Sequence, residues 1–293
     1  MKNTQAPATV YFTRTITPES LIAIYRALGR EAQGRVGIKL SMGEPGGHNY
    51  LKPELIGDLV RLTGGTFVDS NTAYGGGRGT EADHRKAACD HGFTAVAPVD
   101  ILDAEGEMEL PVAGGVHIKS DLVGSHLSRY DFIVNLSHFK GHMMGGFGGA
   151  LKNMSIGFAS SRGKVRLHSA GASDTDWGDP KQDDFLETMA EAAKAVADYF
   201  GDNILYISVM NNLSVDCDCD PNPATPQMGD VGILASLDPV ALDRACADQV
   251  YASSDPGKTY LIERMESRHG IHTVEHAEAL GMGTQQYKLV SID

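Results

Sequence analysis

Cysteine is scarce in this chain, and long apolar runs are missing. Four cysteines in 293 residues are too few and too unevenly spaced for the disulfide framework of a small secreted protein. No run of about 18 apolar residues occurs, as a membrane-spanning helix would need. The first residues, MKNTQAPATVYF, lack the basic segment and apolar core of a secretory signal. We therefore expect reduced thiols and a cytoplasmic protein that has no membrane partner.

Positive charge is also in short supply. The 25 lysines and arginines stand against 38 aspartates and glutamates, which gives a net charge of −13. Such a surplus repels the phosphates of nucleic acids, so we expect no nucleic-acid partner. A local cationic site could still bind a small anionic molecule, and assembly into a homo-oligomer stays open.

Alternating strand and helix patterns predict an α/β fold. A strand pattern at 36–42, a helix pattern at 53–62 and a strand pattern at 66–68 together form a β-α-β unit. Residues 131–136 and 204–210 also have the composition of buried strands. We predict a mostly parallel sheet with flanking helices, Rossmann-like but without a dinucleotide fingerprint. We expect one domain over 1–293, with a subdomain division near 110–125 as the alternative.

A glycine-rich segment, SHFKGHMMGGFGGALKN at residues 137–153, follows the predicted strand 131–136. Ligands of open α/β sheets bind at the carboxyl ends of strands, so we predict that this segment is the functional centre. It fails the P-loop test, because Leu151 replaces the second glycine and Asn153 replaces the hydroxyl residue. Leu151 also replaces the third glycine of the dinucleotide motif. An ordinary nucleotide site is disfavoured.

The same segment offers groups for an anion. Its glycines allow close backbone approach, although they could simply form a tight turn. Cationic side chains concentrated in an acidic chain suit an anionic substrate. Lys140 and Lys152 are the predicted catalytic lysines. The predicted anion-binding residues here are Gly146, Gly148, Gly149, Asn153 and Lys164.

The cluster VDCDCDPNP at residues 215–223 predicts a metal site. In an extended segment Cys217 and Cys219 share one face and the aspartates the other. Thiolates and carboxylates this close repel one another unless a cation lies between them. We expect a divalent or iron-type metal ion of unknown identity. The alternative is a solvated acidic loop with incidental thiols.

Histidines are the other candidate ligands. His138 and His142 are four positions apart and could face one metal ion in a helical turn, and His168 follows in the same region. Each could equally be structural. A four-cysteine iron–sulfur cluster is not expected within one chain, because Cys89 and Cys246 lie in helix patterns and are interpreted as buried apolar residues. Three late histidines are interpreted as exposed helix residues and not as ligands. These are His269, His272 and His276.

A further polar segment, DSNTAYGGGR at residues 69–78, follows the strand pattern at 66–68. Asp69 could be a general base or a metal ligand, Tyr74 a hydrogen-bond donor and Arg78 a clamp for an anion. Residues of this kind are also common turn formers.

These motifs together resemble the DUF362 family, which is often labelled as uncharacterised iron–sulfur centre proteins. The resemblance rests on VGIKLSMGE, DSNTAYGGGR, SHFKGHMMGGFGGALKNMSIG, VDCDC and VGILASLDPVALD, and covers nearly the full length. Many members carry a ferredoxin-like insertion after the position that matches His168. This chain has the short SAGASDTDWGDPKQDD there, so the resemblance implies a core function that is independent of the clusters. It implies no reaction.

The leading hypothesis is a metal-dependent enzyme that acts on a small anionic or carboxylate-bearing substrate. The first alternative is a redox or metal-carrying protein that holds iron or a cluster and has no substrate. The second is a protein that only binds an anion at its glycine-rich loop.

Overall fold

The computed structural model describes residues 6–293. Within them, twelve strands and nine α-helices form the fold. The strands are β1 (Ala8–Thr13), β2 (Val36–Lys39), β3 (Thr66–Asp69), β4 (Val99–Ile101), β5 (Glu107–Pro111), β6 (Ser120–Gly124), β7 (Phe132–His138), β8 (Lys140–His142), β9 (Gly146–Gly148), β10 (Ile204–Met210), β11 (Gly232–Ser236) and β12 (Tyr287–Ser291). The helices are α1 (Pro18–Ala27), α2 (Pro53–Thr63), α3 (Glu81–Asp90), α4 (Ala150–Phe158), α5 (Ser161–His168), α6 (Gln182–Phe200), α7 (Pro239–Ala252), α8 (Lys258–Ser267) and α9 (His272–Ala279).

Eight of these strands form one sheet, in the order β12-β1-β11-β10-β7-β2-β3-β4. The run from β10 to β4 is parallel throughout, and β12 is parallel to β1. Only β11 runs antiparallel to both of its neighbours. The predicted α/β fold with a mostly parallel sheet is confirmed, including the unit β2-α2-β3. Two separate hairpins, β5–β6 and β8–β9, lie outside the sheet.

Helices cover both faces of the sheet because its central strands are apolar on both sides. Along β7, Ile133 lies in the core that also contains residues of α4, α6 and α7, whereas its neighbour Val134 lies in the core that contains residues of α1 and α2. The same alternation recurs on β10, where Tyr206 and Ile207 lie in different cores. Within residues 6–293, no helix combines the length and the apolar character that crossing a bilayer requires.

Local signals explain where several elements begin and end. The Thr17 side chain accepts a hydrogen bond from the Ser20 amide and caps α1, with Pro18 in the first turn. The strand predicted at 36–42 ends at Lys39, because the chain leaves the sheet there toward a pocket. Cys246 is buried on α7, whereas Cys89 on α3 is exposed, so the prediction that Cys89 is buried was wrong.

Candidate functional site

A pocket of about 390 Å³ opens at the carboxyl ends of the parallel strands β2, β3, β7 and β10. The loops that follow these strands line it, together with residues of α4 and α5. This is the edge at which open α/β sheets bind their ligands, because the strand-to-helix loops converge there. All of the site residues predicted from the sequence line this pocket except Gly146.

Two thiols and one imidazole converge in the pocket. One donor atom each from His142, Cys217 and Cys219 lies within 4.8 Å of the other two. The Gly141 amide donates to the Ser214 carbonyl at 2.8 Å, which joins the hairpin β8–β9 to the cysteine loop. The Gly145 amide lies 2.8 Å from His142 Nδ1 and holds the ring in place. This group could hold a metal ion.

Asp218, between the two cysteines, faces away from them. Its carboxylate accepts hydrogen bonds from His138 Nδ1 at 2.9 Å and from Lys140 Nζ at 2.7 Å. The segment is not extended as predicted, because the Asp220 amide donates to the Cys217 carbonyl at 2.9 Å in a turn, and Asp216 and Asp220 line the pocket together with both cysteines. Asp218 thus anchors the loop to β7 and β8 and directs the thiols into the pocket.

The two thiols have opposite tendencies to ionise. A hydrogen bond from Cys219 and the nearby Lys152 ammonium hold the pKa of Cys217 well below its usual range, although burial acts in the other direction. Its hydrogen bond to Cys217, together with burial, raises the pKa of Cys219. Burial and the neighbouring Lys152 lower the pKa of His142 to about 4, so its ring is neutral and able to bind a metal ion.

Three of the cations around the pocket are neutralised by carboxylates. Lys39 Nζ lies 3.0 Å from an Asp69 oxygen, and Arg78 contacts both Asp69, at 3.3 Å, and Glu44, at 2.9 Å. Lys140 is paired with Asp218. Because buried charges need such partners, these pairs account for the burial of all of these side chains.

Two other lysines of the pocket have no carboxylate partner. Among residues 6–293, neither Lys152 nor Lys164 lies within salt-bridge distance of an aspartate or glutamate; Lys152 Nζ donates to Cys217 Sγ at 3.9 Å, and Lys164 Nζ to the Ala159 carbonyl. Burial lowers the pKa of Lys164 to about 8. These two side chains are the pocket's available cations for an anion.

The sequence profile described as "Domain of unknown function (DUF362)" matches residues 36–248, which include the pocket-lining loops of all four strands. The chain belongs to the DUF362 family. No relative was found among proteins of curated function.

Two solved structures are similar to this DUF362 protein. The lactate racemase apoprotein of Thermoanaerobacterium thermosaccharolyticum has 15% identity and a TM-score of 0.42, over 69% of this chain and 50% of that one. A protein from Thermotoga maritima has 11% identity and a TM-score of 0.39, over 89% of this chain and 58% of that one. The DUF362 chain thus spans about half the length of the first and 58% of the second.

The glycine-rich loop of this DUF362 protein differs from an anion cradle. The first amides of α4, from Ala150 and Leu151, donate to the Asp243 carboxylate at 2.7 and 2.9 Å. An internal carboxylate thus takes the position that a bound anion would take at a helix N-terminus. A β-carbon on Gly149 would lie 2.3 Å from Asp243, and one on Gly146 would lie 2.8 Å from Gly270. These two glycines allow close packing, whereas Gly148 and Gly149 both line the pocket.

His138 and His168 stand apart from the ligand group. His138 faces hydrogen-bond acceptors on both ring nitrogens, the Asp218 carboxylate and the Asn211 carbonyl, so it presents no lone pair to a metal ion in this conformation. His168 Nδ1 bonds to the Lys164 carbonyl at 2.6 Å, and its ring stacks on Phe185. It forms a wall of the pocket.

Two of the predicted polar site residues, Asp69 and Asn153, form hydrogen bonds that hold the pocket walls together. Asp69 accepts from Lys39 and Arg78, and these cations help to hold its pKa well below the usual range despite burial, so it is a poor proton acceptor. Asn153 donates to the Asn135 side chain at 2.7 Å and accepts from Lys39 at 3.0 Å. Tyr74 OH lies 3.2 Å from Glu44 at the rim.

Sequence reasoning missed Lys39, Asp218 and Asp243 as residues that hold the site together. The lysine inside the apolar pattern VGIKLSM was a usable signal, because a buried lysine requires an anionic partner nearby. Asp243 gave no comparable signal, since its helix lies about 90 positions from the amides that it binds.

Proposed function

We propose that this DUF362 protein is a metal-dependent enzyme that acts on a small anionic substrate. The convergence of His142, Cys217 and Cys219 inside a pocket carries the proposal. Three protein ligands leave a position open for substrate or water, as in catalytic zinc sites with two cysteines and one histidine. A closed structural site would normally use four ligands.

The donor set fits a soft or borderline transition metal. Thiolate and imidazole together suit zinc and iron, whereas magnesium and calcium prefer oxygen ligands. A cation would also relieve the cost of two ionised, buried sulfur atoms side by side. When bound, such an ion polarises a substrate oxygen or lowers the pKa of a bound water.

Lys152 and Lys164 favour a substrate with negative charge. Both line the pocket, and neither has a carboxylate partner among residues 6–293. The low-dielectric surroundings strengthen their attraction for an anion relative to water. A small carboxylate or phosphate fits the volume of about 390 Å³.

Lys164 is also the pocket group best suited to proton transfer near neutral pH. Burial lowers its pKa to about 8, so both protonation states are accessible, as a general acid or base requires. Lys140 is held by Asp218 at 2.7 Å and positions the cysteine loop instead.

Calorimetric titration of zinc-loaded protein with phosphate and with oxalate tests the substrate class. We expect binding that weakens at least about five-fold in Lys152→Met, since removing one charge of a close pair costs on the order of 1 kcal/mol or more. Lys86→Met is the matched control, because Lys86 is exposed on α3. Equal affinities in wild type and Lys152→Met would contradict the proposal. Iron-dependent colour with reversible reduction and no anion binding would favour a metal-carrying protein.

A further inference from the structure

A second cluster of metal-binding side chains lies where α6 packs against α9. On α6, Asp183, Glu187 and Glu191 are spaced by four residues, so the helix presents them on one face. On α9, His272 and His276 have the same spacing and face this acidic row. An acidic row thus meets a histidine row.

The contacts between the two rows are close. His269 Nδ1 lies 2.7 Å from an Asp183 oxygen, and His272 Nε2 lies 2.9 Å from Glu187. His117 Nε2, from the turn before β6, approaches the other Glu187 oxygen at 2.7 Å. Several imidazoles therefore converge on a few carboxylates, which is the composition of a site for borderline metal ions.

His269 is held toward this cluster by an uncommon backbone conformation. Its φ is 50°, in the left-handed region that few non-glycine residues adopt. The conformation places the His269 ring against His272 in a stack with a centroid distance of 4.9 Å and an interplanar angle of 16°. Backbone strain of this kind persists where the surrounding structure requires a particular side-chain placement.

We propose that Asp183, His269 and His272 bind a divalent transition metal ion such as Zn²⁺ at a solvent-facing site. One donor atom from each lies within 4.8 Å of the other two. Two imidazoles and one carboxylate form a set that binds zinc with a further position for water. Glu187, on His272 Nε2, supplies the outer carboxylate that orients a metal-bound histidine and increases its basicity.

This site is separate from the thiol group, and its donors differ. His269 and His272 come from the turn before α9 and from α9 itself, and Asp183 comes from α6, whereas Cys217 and Cys219 follow β10. Their exposure also differs: side-chain exposure is 52% for His269 and 49% for Asp183, whereas Cys217 is buried. The site therefore exchanges metal with solvent directly.

Zinc titration of tag-free Cys217→Ser/Cys219→Ser protein by calorimetry tests the second site without the first. We expect this variant to bind one equivalent of Zn²⁺, and His269→Ala/His272→Ala in the same background to lose it. His48→Ala is the matched control, since His48 is exposed and outside the cluster. Asp183→Asn, which changes only a surface carboxylate, should weaken binding at least ten-fold with an unchanged thermal melting curve.

Cobalt supplies a second readout, because a histidine–carboxylate site gives visible Co²⁺ absorption that an ion-pair cluster does not. Absence of zinc binding in Cys217→Ser/Cys219→Ser would overturn the proposal. Retention of the full equivalent after His269→Ala/His272→Ala would overturn it as well. Neither result depends on the function proposed for the thiol site.

Discussion

The backbone of Gly141 lies against the backbone of Val215: a β-carbon on Gly141 would lie 2.3 Å from the Val215 carbonyl oxygen. This contact, with the hydrogen bond from the Gly141 amide to Ser214, brings His142 beside Cys217. The two ligands are 75 positions apart in the chain. This close approach of the two backbones, together with the Asp218 contacts to His138 and Lys140, assembles the candidate metal site.

Gly141→Ala should weaken zinc binding although it replaces none of the three donor residues. The added methyl must push the cysteine loop away from β8, and losing the support of ligand groups typically costs 10- to 100-fold, so we expect roughly a ten-fold or greater loss. Competition with a chromophoric chelator measures the zinc affinity. Gly79→Ala is the control, because an added β-carbon there meets nothing within 4 Å. Unchanged zinc affinity in Gly141→Ala would contradict this assembly.

Lys39→Met should destabilise the fold strongly. The Lys39 ammonium, with a side chain 1% exposed, bonds to Asp69 and Asn153 at 3.0 Å. Removing one partner of a buried pair costs on the order of 3–5 kcal/mol. Urea unfolding of Lys39→Met, Asp69→Asn and the double variant gives the coupling between them. If the double variant loses as much free energy of unfolding as the two single variants together, the pair does not interact.

Asp243→Asn should change how stability depends on pH. Burial raises the pKa of the Asp243 carboxyl to about 7, so the folded state retains a proton that the unfolded state loses. The contribution of Asp243 to the free energy of unfolding then falls as the pH rises toward 7. Between about pH 5 and pH 8, we expect the free energy of unfolding of Asp243→Asn to rise relative to that of the wild type by on the order of 2–3 kcal/mol.

Urea unfolding at several pH values measures this difference. Asp202→Asn is the control, since the Asp202 side chain is 94% exposed and its replacement should leave the pH profile parallel to that of the wild type. A parallel profile in Asp243→Asn would show that the buried carboxyl has an ordinary pKa.

Much of the fold could be predicted because its signals are local. The buried strand β10 was predicted over its full range, Ile204–Met210, since a continuous apolar run bounded by turn residues needs no tertiary information. The edge strand β12 was missed, because Tyr287–Ser291 is short and mostly exposed. Its pairing with β1 joins the two ends of the chain, which a local pattern cannot show.

Some features of the candidate site could likewise be predicted from local sequence, and others could not. The spacing of Cys217 and Cys219 indicated that the two thiols lie close together, although the structure achieves this in a turn and not in the predicted extended segment. Carboxylates neutralise Lys39, Arg78 and Lys140, whereas Lys152 has no carboxylate within salt-bridge distance in the described part of the chain. This difference depends on contacts between distant loops. His269 and His272 lie beside and on α9, as predicted, but their ion-pair partners lie on α6 and could not be read from a local pattern.

X-ray absorption at the metal edge of tag-free, anaerobically purified His269→Ala/His272→Ala protein tests the central claim most directly. We predict about one equivalent of a transition metal, with two sulfur neighbours at about 2.3 Å and at least one nitrogen at about 2.0 Å if the metal is zinc. Cys217→Ser should lose the metal, and the control Cys89→Ser, on exposed α3, should keep it. Less than about 0.2 equivalents of metal after zinc loading, or a coordination shell without sulfur, would contradict the account.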